Sequence, residues 1–425
     1  VNARSEEHLE EHLSSHTSVA TTPVGLYVHV PFCSRRCGYC AFSTAVLSGG
    51  PGGAVVTRYL DGVARELRRL GALLSGRIPP LSSIYLGGGT PTLLGPPALA
   101  ALLGSVRDHL PVAAAAEVTV EANPGSLLPH EVGHLVACGV TRLSIGVQSA
   151  VRQVLEVLDR THDPALVPEQ VAGALAAGIA HVNLDLIHGT PGETASDWWR
   201  SLDLALSAGV DHVSCYALSV EPGTKLAARV RTGTLSTPES DVAAVRYRTA
   251  DGVLADAGFE WYELSSWARE PAARCTHNLL YWRNHNWLGV GPAAHGHLSG
   301  LRWWNHRDLA SWTGALADGR LGAQDHEVVG ADGRELERVM LGMRLREGLQ
   351  LDTLDPGGVA DLVSTGWAQR HEGHLVLTLE GRLLADAAVR RLCGDQWDRE
   401  VPVDTAAPDG SAVERDGQKS VRSSS

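Results

Sequence analysis

A chain of 425 residues, 44% hydrophobic and 20% charged, has an ordinary globular composition and room for one large domain plus a smaller one. Its formal net charge of -12 argues against broad, non-specific binding to nucleic acid. No apolar run approaches the ~20 residues that span a bilayer, no signal pattern opens the chain, and seven cysteines are not a disulfide framework, so a reducing, cytoplasmic setting is expected. Residues 1–23 are polar and are expected to be a disordered tail, although His8, His12 and His16 recur at a spacing that offers a metal site on a helix face.

An alternating apolar run then leads into Cys33-Ser-Arg-Arg-Cys37-Gly-Tyr39-Cys40. Three thiols spaced C-x3-C-x2-C on one loop favour the ligands of an iron–sulfur cluster over three unrelated buried thiols, and no fourth Cys or His follows at zinc-finger spacing. Three ligands on a four-iron cube leave one iron open to a small molecule.

Strands are predicted at 26–31, Ile84–Gly88, Val118–Asn123, Arg142–Gln148, Val182–His188 and His212–Leu218. Helices are predicted near 55–74, 96–109, 129–138, 164–177, 197–208 and 239–257; the first repeats Val56, Leu60, Val63, Leu67 and Leu70 on one face. Six β-then-α units imply a parallel sheet, best a partial (β/α)6 barrel over residues 24–258.

From 259 to 397 the composition changes. Aromatic, His and Asn residues crowd 259–307, and helices followed by a hairpin-like strand at Leu375–Leu379 suggest a smaller α+β, winged-helix-like module. Its shape alone does not assign DNA binding, given the acidic balance. Residues 398–425 read as a second disordered tail.

Chemistry-bearing residues fall at strand ends. Gly87-Gly88-Gly89-Thr90-Pro91 closes the second strand, where glycines admit a ligand close to backbone. Glu121, Gln148 and Asp185 end or interrupt apolar strands, which is costly unless they pair with one another or face a ligand; three at neighbouring strand ends favour the ligand. Arg160 either supplies positive charge to a carboxylate or lies on the surface. His277, in His-Asn-Leu-Leu-Tyr-Trp, either meets a flat macrocycle or belongs to a hydrogen-bonded packing cluster; His295 and His297 are weaker candidates.

From Tyr27 to about Leu392 these motifs resemble, in order, the HemN/HemW branch of radical S-adenosylmethionine (SAM) proteins. The resemblance implies that Cys33, Cys37 and Cys40 bind a [4Fe–4S] cluster. It implies that Tyr27, Tyr39, Gly88, Gly89, Thr90, Glu121, Gln148, Arg160 and Asp185 contact SAM. In such proteins a reduced cluster cleaves SAM to methionine and a 5′-deoxyadenosyl radical, which needs a dry site. The branch's dehydrogenases carry a fourth cysteine where this chain has Phe42, and a substantial segment ahead of the cluster where only a short polar one precedes Tyr27. The HNxxYW segment matches the HemW type, with Ala41 a departure from its frequent Asp. That resemblance implies a haem chaperone with His277 as haem ligand, delivering haem to acceptor proteins such as respiratory enzymes at the membrane. The alternative is an oxygen-independent coproporphyrinogen III dehydrogenase.

Overall fold

The computed structural model describes residues 3–15, 19, 21–48 and 50–394. The tail expected from 398 onward lies outside them, as does His16. Strand β1 (Val24–Val30) is buried along its whole length. Beside it run β2 (Leu81–Gly88), β3 (Val112–Ala122), β4 (Arg142–Gln148), β5 (His181–His188) and β6 (His212–Ala217), each parallel to the one before. Helices Ala54–Leu74, Pro96–His109, Pro129–Ala137, Val167–Ala176, Ala195–Ser207 and Ser240–Asp256 follow these strands. This is the expected partial (β/α)6 barrel.

Two side-chain periods build it. Helix Ala54–Leu74 buries Val56, Val63, Leu67, Leu70 and Leu74 at helical spacing. Strands alternate: Val213 and Cys215 join the apolar core, while His212 and Ser214 between them turn to hydrogen-bond Asn183. The barrel is therefore apolar under its helices and polar inside.

Residues after 258 do not begin a separate layer. Strands β7 (Glu260–Glu263) and β8 (Ser266–Ala268) add antiparallel to β6 at one end of the sheet. Strand β9 (Asn286–Val290) adds parallel to β1, and β10 (His295–Leu298), β11 (Leu301–Asn305) and β12 (Ala323–Val328) follow antiparallel. The result is one twelve-stranded sheet, ordered β12-β11-β10-β9-β1-β2-β3-β4-β5-β6-β8-β7. The unpaired backbone groups on β1 and β6 explain why: each needs a neighbour.

Residues 331–393 hold the helices and hairpin anticipated from their pattern. Helices Ala331–Gly342, Pro356–Ser364 and Ala385–Cys393 surround a small antiparallel sheet of Leu349–Gln350, Ala368–His371 and His374–Leu377. They share a core of their own, including Met343, Leu362, Leu375 and Ala388. Buried Arg382 fixes this unit to the barrel helix Ser240–Asp256 through two 2.8 Å bonds to Asp251.

The N-terminal segment departs from expectation. Ala3–Ser15 is a helix, and Leu9 and Leu13 are buried in the main core. Two leucines one turn apart make too small an apolar face to stand out among charges, yet suffice when a packed surface awaits them. Among the described residues no helix is long and apolar enough to cross a membrane.

Candidate functional site

The cysteine loop leaves β1 and returns beside it, with Phe32–Cys33 pairing against Ala45–Val46. Its middle is held by backbone: Gly38 N–H donates to Leu158 O (3.1 Å), and Leu226 N–H donates to Gly38 O (2.7 Å). A Cβ there would lie 2.3 Å from the Asp159 carboxylate and would have to displace it. Asp159, itself at φ 56°, pairs with Lys225 at 2.8 Å. All three thiols are free and half-buried. Burial pushes the Cys40 thiol up to about 11 and raises Cys33. Tyr39 packs on Val151, Val154, Leu158 and Ile187.

Arg160 reaches the same loop. Its Nη1 donates to Cys37 Sγ (3.4 Å), and its Nη2 donates to Asn123 Oδ1 (2.5 Å) and to Gly146 O. Its Nε is buried without a partner. The surface alternative for this residue is thereby removed.

The glycine turn after β2 sits directly on the loop. Gly89 N–H donates to Val30 O (2.8 Å) and Thr90 N–H to Phe32 O (2.7 Å). Gly88 has φ 107°, and a Cβ there would lie 2.5 Å from the His29 ring, so the position requires glycine. Asn123 Nδ2 donates to Thr90 Oγ1 (2.7 Å), so one amide ties the turn to Arg160.

Glu121 accepts from Gly88 N–H (2.9 Å) and from Tyr85 Oη (2.8 Å). Burial pushes its carboxyl up to about 7, with Asp185 adding to the rise and the two hydrogen bonds opposing it. Asp185 accepts from Ser144 Oγ (2.9 Å) and Asn183 Nδ2 (2.8 Å); burial raises it as well. Glu121 and Asp185 thus each take donors from neighbouring residues and lie close enough that Asp185 acts on Glu121. Gln148 is buried at φ 66°, where the β4–β5 register slips, a conformation that L residues adopt at a cost near ~1 kcal/mol. Tyr27 places its hydroxyl 2.9 Å from His29 Nδ1.

His277 is elsewhere. It starts the short helix Thr276–Trp282 beside Gly25 and Ser83, near the amino ends of β1 and β2. It is 1% exposed, with Nδ1 2.9 Å from Ser83 Oγ and Nε2 2.8 Å from Tyr281 Oη. Both nitrogens are engaged within the fold, which is the arrangement of the packing alternative. His297 is likewise tied, at 2.9 Å to His285 O and 3.0 Å from Gly300 N. His295 is half-buried and stacked on Trp304 at 6.2 Å between ring centroids. Burial, then nearby His29 and Arg307, lowers it to about 4, so its imidazole is neutral.

Sequence reasoning missed Asn123, Tyr85, His29 and Asp159. Asn123 sat in the Glu121 stretch already singled out; the others carry no signal apart from the fold. Among the described residues, no three Cys, His, Asp or Glu side chains converge on a point that would hold a single metal ion.

Residues 27–205 match the Radical SAM superfamily, which defines the class of the protein. The coproporphyrinogen III oxidase HemN of Escherichia coli has the same fold: TM-score 0.78 over 91% of this chain and 94% of its own, at 22% identity. The heme chaperone HemW of Mycobacterium tuberculosis is 47% identical over 378 residues, 88% of this chain and 95% of the relative. HemW of Bacillus subtilis is 30% identical over 87% of this chain and 99% of its own. The mitochondrial radical S-adenosyl methionine domain-containing protein 1 of Mus musculus is 41% identical over 65% of this chain and 61% of the relative. The chain belongs to the HemW family.

Radical SAM membership implies a [4Fe–4S] cluster and SAM. The residues present fit such groups: three free, half-buried thiols spread along one loop, beside a buried guanidinium with an unpartnered N–H.

Proposed function

We propose that this protein is a cytoplasmic haem chaperone of the HemW type, binding a [4Fe–4S] cluster, SAM and haem, and delivering haem to acceptor haem proteins such as respiratory enzymes at the membrane. The observation that carries the reading is 47% identity to a named haem chaperone across 95% of that protein's length. Cys33, Cys37 and Cys40 hold the cluster, and the Arg160 guanidinium at Cys37 offsets the negative charge the thiolates acquire. Tyr27, Tyr39, Gly88, Gly89, Thr90, Glu121, Gln148, Arg160 and Asp185 contact SAM. When bound, the cluster and SAM supply one-electron chemistry.

The chain's own part is to bind, orient and keep water out. Glu121 holds the Gly88 amide in place, which fixes the backbone of the turn that receives a ligand's ammonium. Asp185, with two donors already on it, keeps acceptor capacity for a ligand hydroxyl. For haem the assignment moves to His295, a neutral, half-buried imidazole against an indole. Its ring nitrogens carry no hydrogen bond to the described residues.

The test is anaerobic. Cluster-reconstituted protein is given reductant, SAM and coproporphyrinogen III, and separately haem plus an apo haem enzyme. Haem transfer without protoporphyrinogen is expected; catalytic protoporphyrinogen formation would make the protein a dehydrogenase despite Phe42. In a haem titration His295→Ala is expected to weaken retention roughly tenfold, about the effect of ~1.4 kcal/mol. An unchanged His295→Ala would remove that residue from the site.

A further inference from the structure

The HNxxYW segment is left without a task once His277 is seen to be enclosed. Its surroundings supply one. The His277 ring stacks on Tyr85 with 5.3 Å between centroids and an interplanar angle of 27°. Tyr85 Oη donates to Glu121 Oε1, and Glu121 Oε2 accepts the Gly88 amide. No space separates these parts: a Cβ on Gly87 would lie 2.8 Å from the Tyr85 ring and 2.9 Å from Glu121 Oε1. The His277 ring is fixed in turn by Ser83 on one nitrogen and Tyr281 on the other. Three contacts therefore connect the helix Thr276–Trp282 to the glycine turn.

The same helix also reaches the other way. Asn278 Nδ2 donates to Tyr262 Oη and Glu263 Oε1, each at 3.3 Å, and Trp282 packs against the core of residues 331–393. The segment spans from the C-terminal unit to the barrel interior.

We propose that His277 is a positioning residue of the SAM site, holding Tyr85 so that its hydroxyl fixes Glu121 and, through it, the Gly88 turn. The inference rests on the reading that SAM binds at this turn and at Glu121. A motif whose histidine is a haem ligand would leave the SAM site indifferent to it; a positioning histidine makes SAM affinity depend on a ring that never touches SAM.

The experiment measures SAM affinity by equilibrium dialysis on cluster-loaded protein, with haem affinity titrated in parallel. His277→Ala and Tyr85→Phe are each expected to weaken SAM binding roughly tenfold, and the double variant no more than the worse single, because both cut one route. His277→Phe, which keeps the stacked ring, recovers part of the loss. Haem affinity stays at the parent value. Tyr281→Phe deletes one hydroxyl and serves if His277→Ala does not fold; it is expected to weaken SAM about threefold, the scale of one net hydrogen bond. Additive effects of His277→Ala and Tyr85→Phe, or parent-like SAM affinity in His277→Ala and Tyr281→Phe, overturn the proposal, as does a loss of haem with SAM affinity intact. Glu121→Ala separates the two layers. If it leaves SAM affinity unchanged, the SAM-site reading itself fails; if it weakens SAM while His277→Ala does not, only the positioning role fails.

Discussion

Glu121 combines two opposing demands, a buried place and an ionisable head. Burial lifts its carboxyl to about 7, so near neutrality it sits between a proton and a charge. The ionisable groups facing it are Asp185, also raised, and the phenols of Tyr85, Tyr27 and Tyr281, which burial keeps neutral. A ligand ammonium prefers the carboxylate. SAM affinity should therefore rise as pH increases through about 7 and level off above it, whereas Glu121→Gln should bind roughly tenfold more weakly with a flatter profile, one pKa unit being about 1.4 kcal/mol. Dialysis at a series of pH values checks both, with Asp185→Asn as the control for the second carboxyl. The same scale shows why His277 was ambiguous. Spacing alone does not distinguish an imidazole that offers a lone pair from one whose two nitrogens are already bonded; the partners that engage it here are Ser83 and Tyr281, and Ser83 is 194 residues away.

Among the elements, helix Ala54–Leu74 and the segment 291–322 are joined by a single carboxyl. Glu66 accepts from Gly291 N–H (2.8 Å), Asn305 Nδ2 (2.7 Å) and Trp312 Nε1 (3.0 Å). Burial raises it from 4.5 to about 7, with those donors pulling the other way. Since the folded value exceeds the unfolded one, the associated stability is fully present below 4.5 and is lost as pH rises through about 7, by ~3 kcal/mol at most for a shift of this size. Denaturant titrations of the parent and Glu66→Gln should diverge in slope across that window and run parallel above it. Glu66→Ala should cost more at any pH, about 3–5 kcal/mol, because it orphans several buried donors at once. The six strands and helices of the barrel were legible because each keeps its period for six residues or more. The strands β7 to β11 were not: they run three to five residues, mix aromatic with His and Asn side chains, and owe their pairing to edges far away in sequence. Helix Ala3–Ser15 was missed for a related reason, since its burial depends on a surface built by residues beyond 50.

At the scale of the molecule, the site depends on parts of the chain that never reach it. The turn, the cysteine loop and Arg160 gather at the carboxyl ends of the parallel strands, where such barrels place ligands. The C-terminal unit grips the barrel through Arg382 and Asp251 and packs against Trp282 of the helix Thr276–Trp282. A sheet of twelve strands that does not close on itself has two ends, and each outer strand carries a row of backbone groups with no neighbour. At the β7 end, Glu263 forms a bridge with Leu345 of the C-terminal unit. At the β12 end, helix Ala3–Ser15 packs alongside, anchored by Leu9 and Leu13 and by Glu10 on Arg69. Undocking that helix with Leu9→Asp and Leu13→Asp should do more than lower the melting temperature. It should leave β12, with Val328 already exposed, available to the same strand of another molecule. Light scattering should then grow with protein concentration while the cysteine loop still takes up iron and sulfide. On this view helix Ala3–Ser15 acts as a guard against polymerisation, keeping an open sheet from recognising itself.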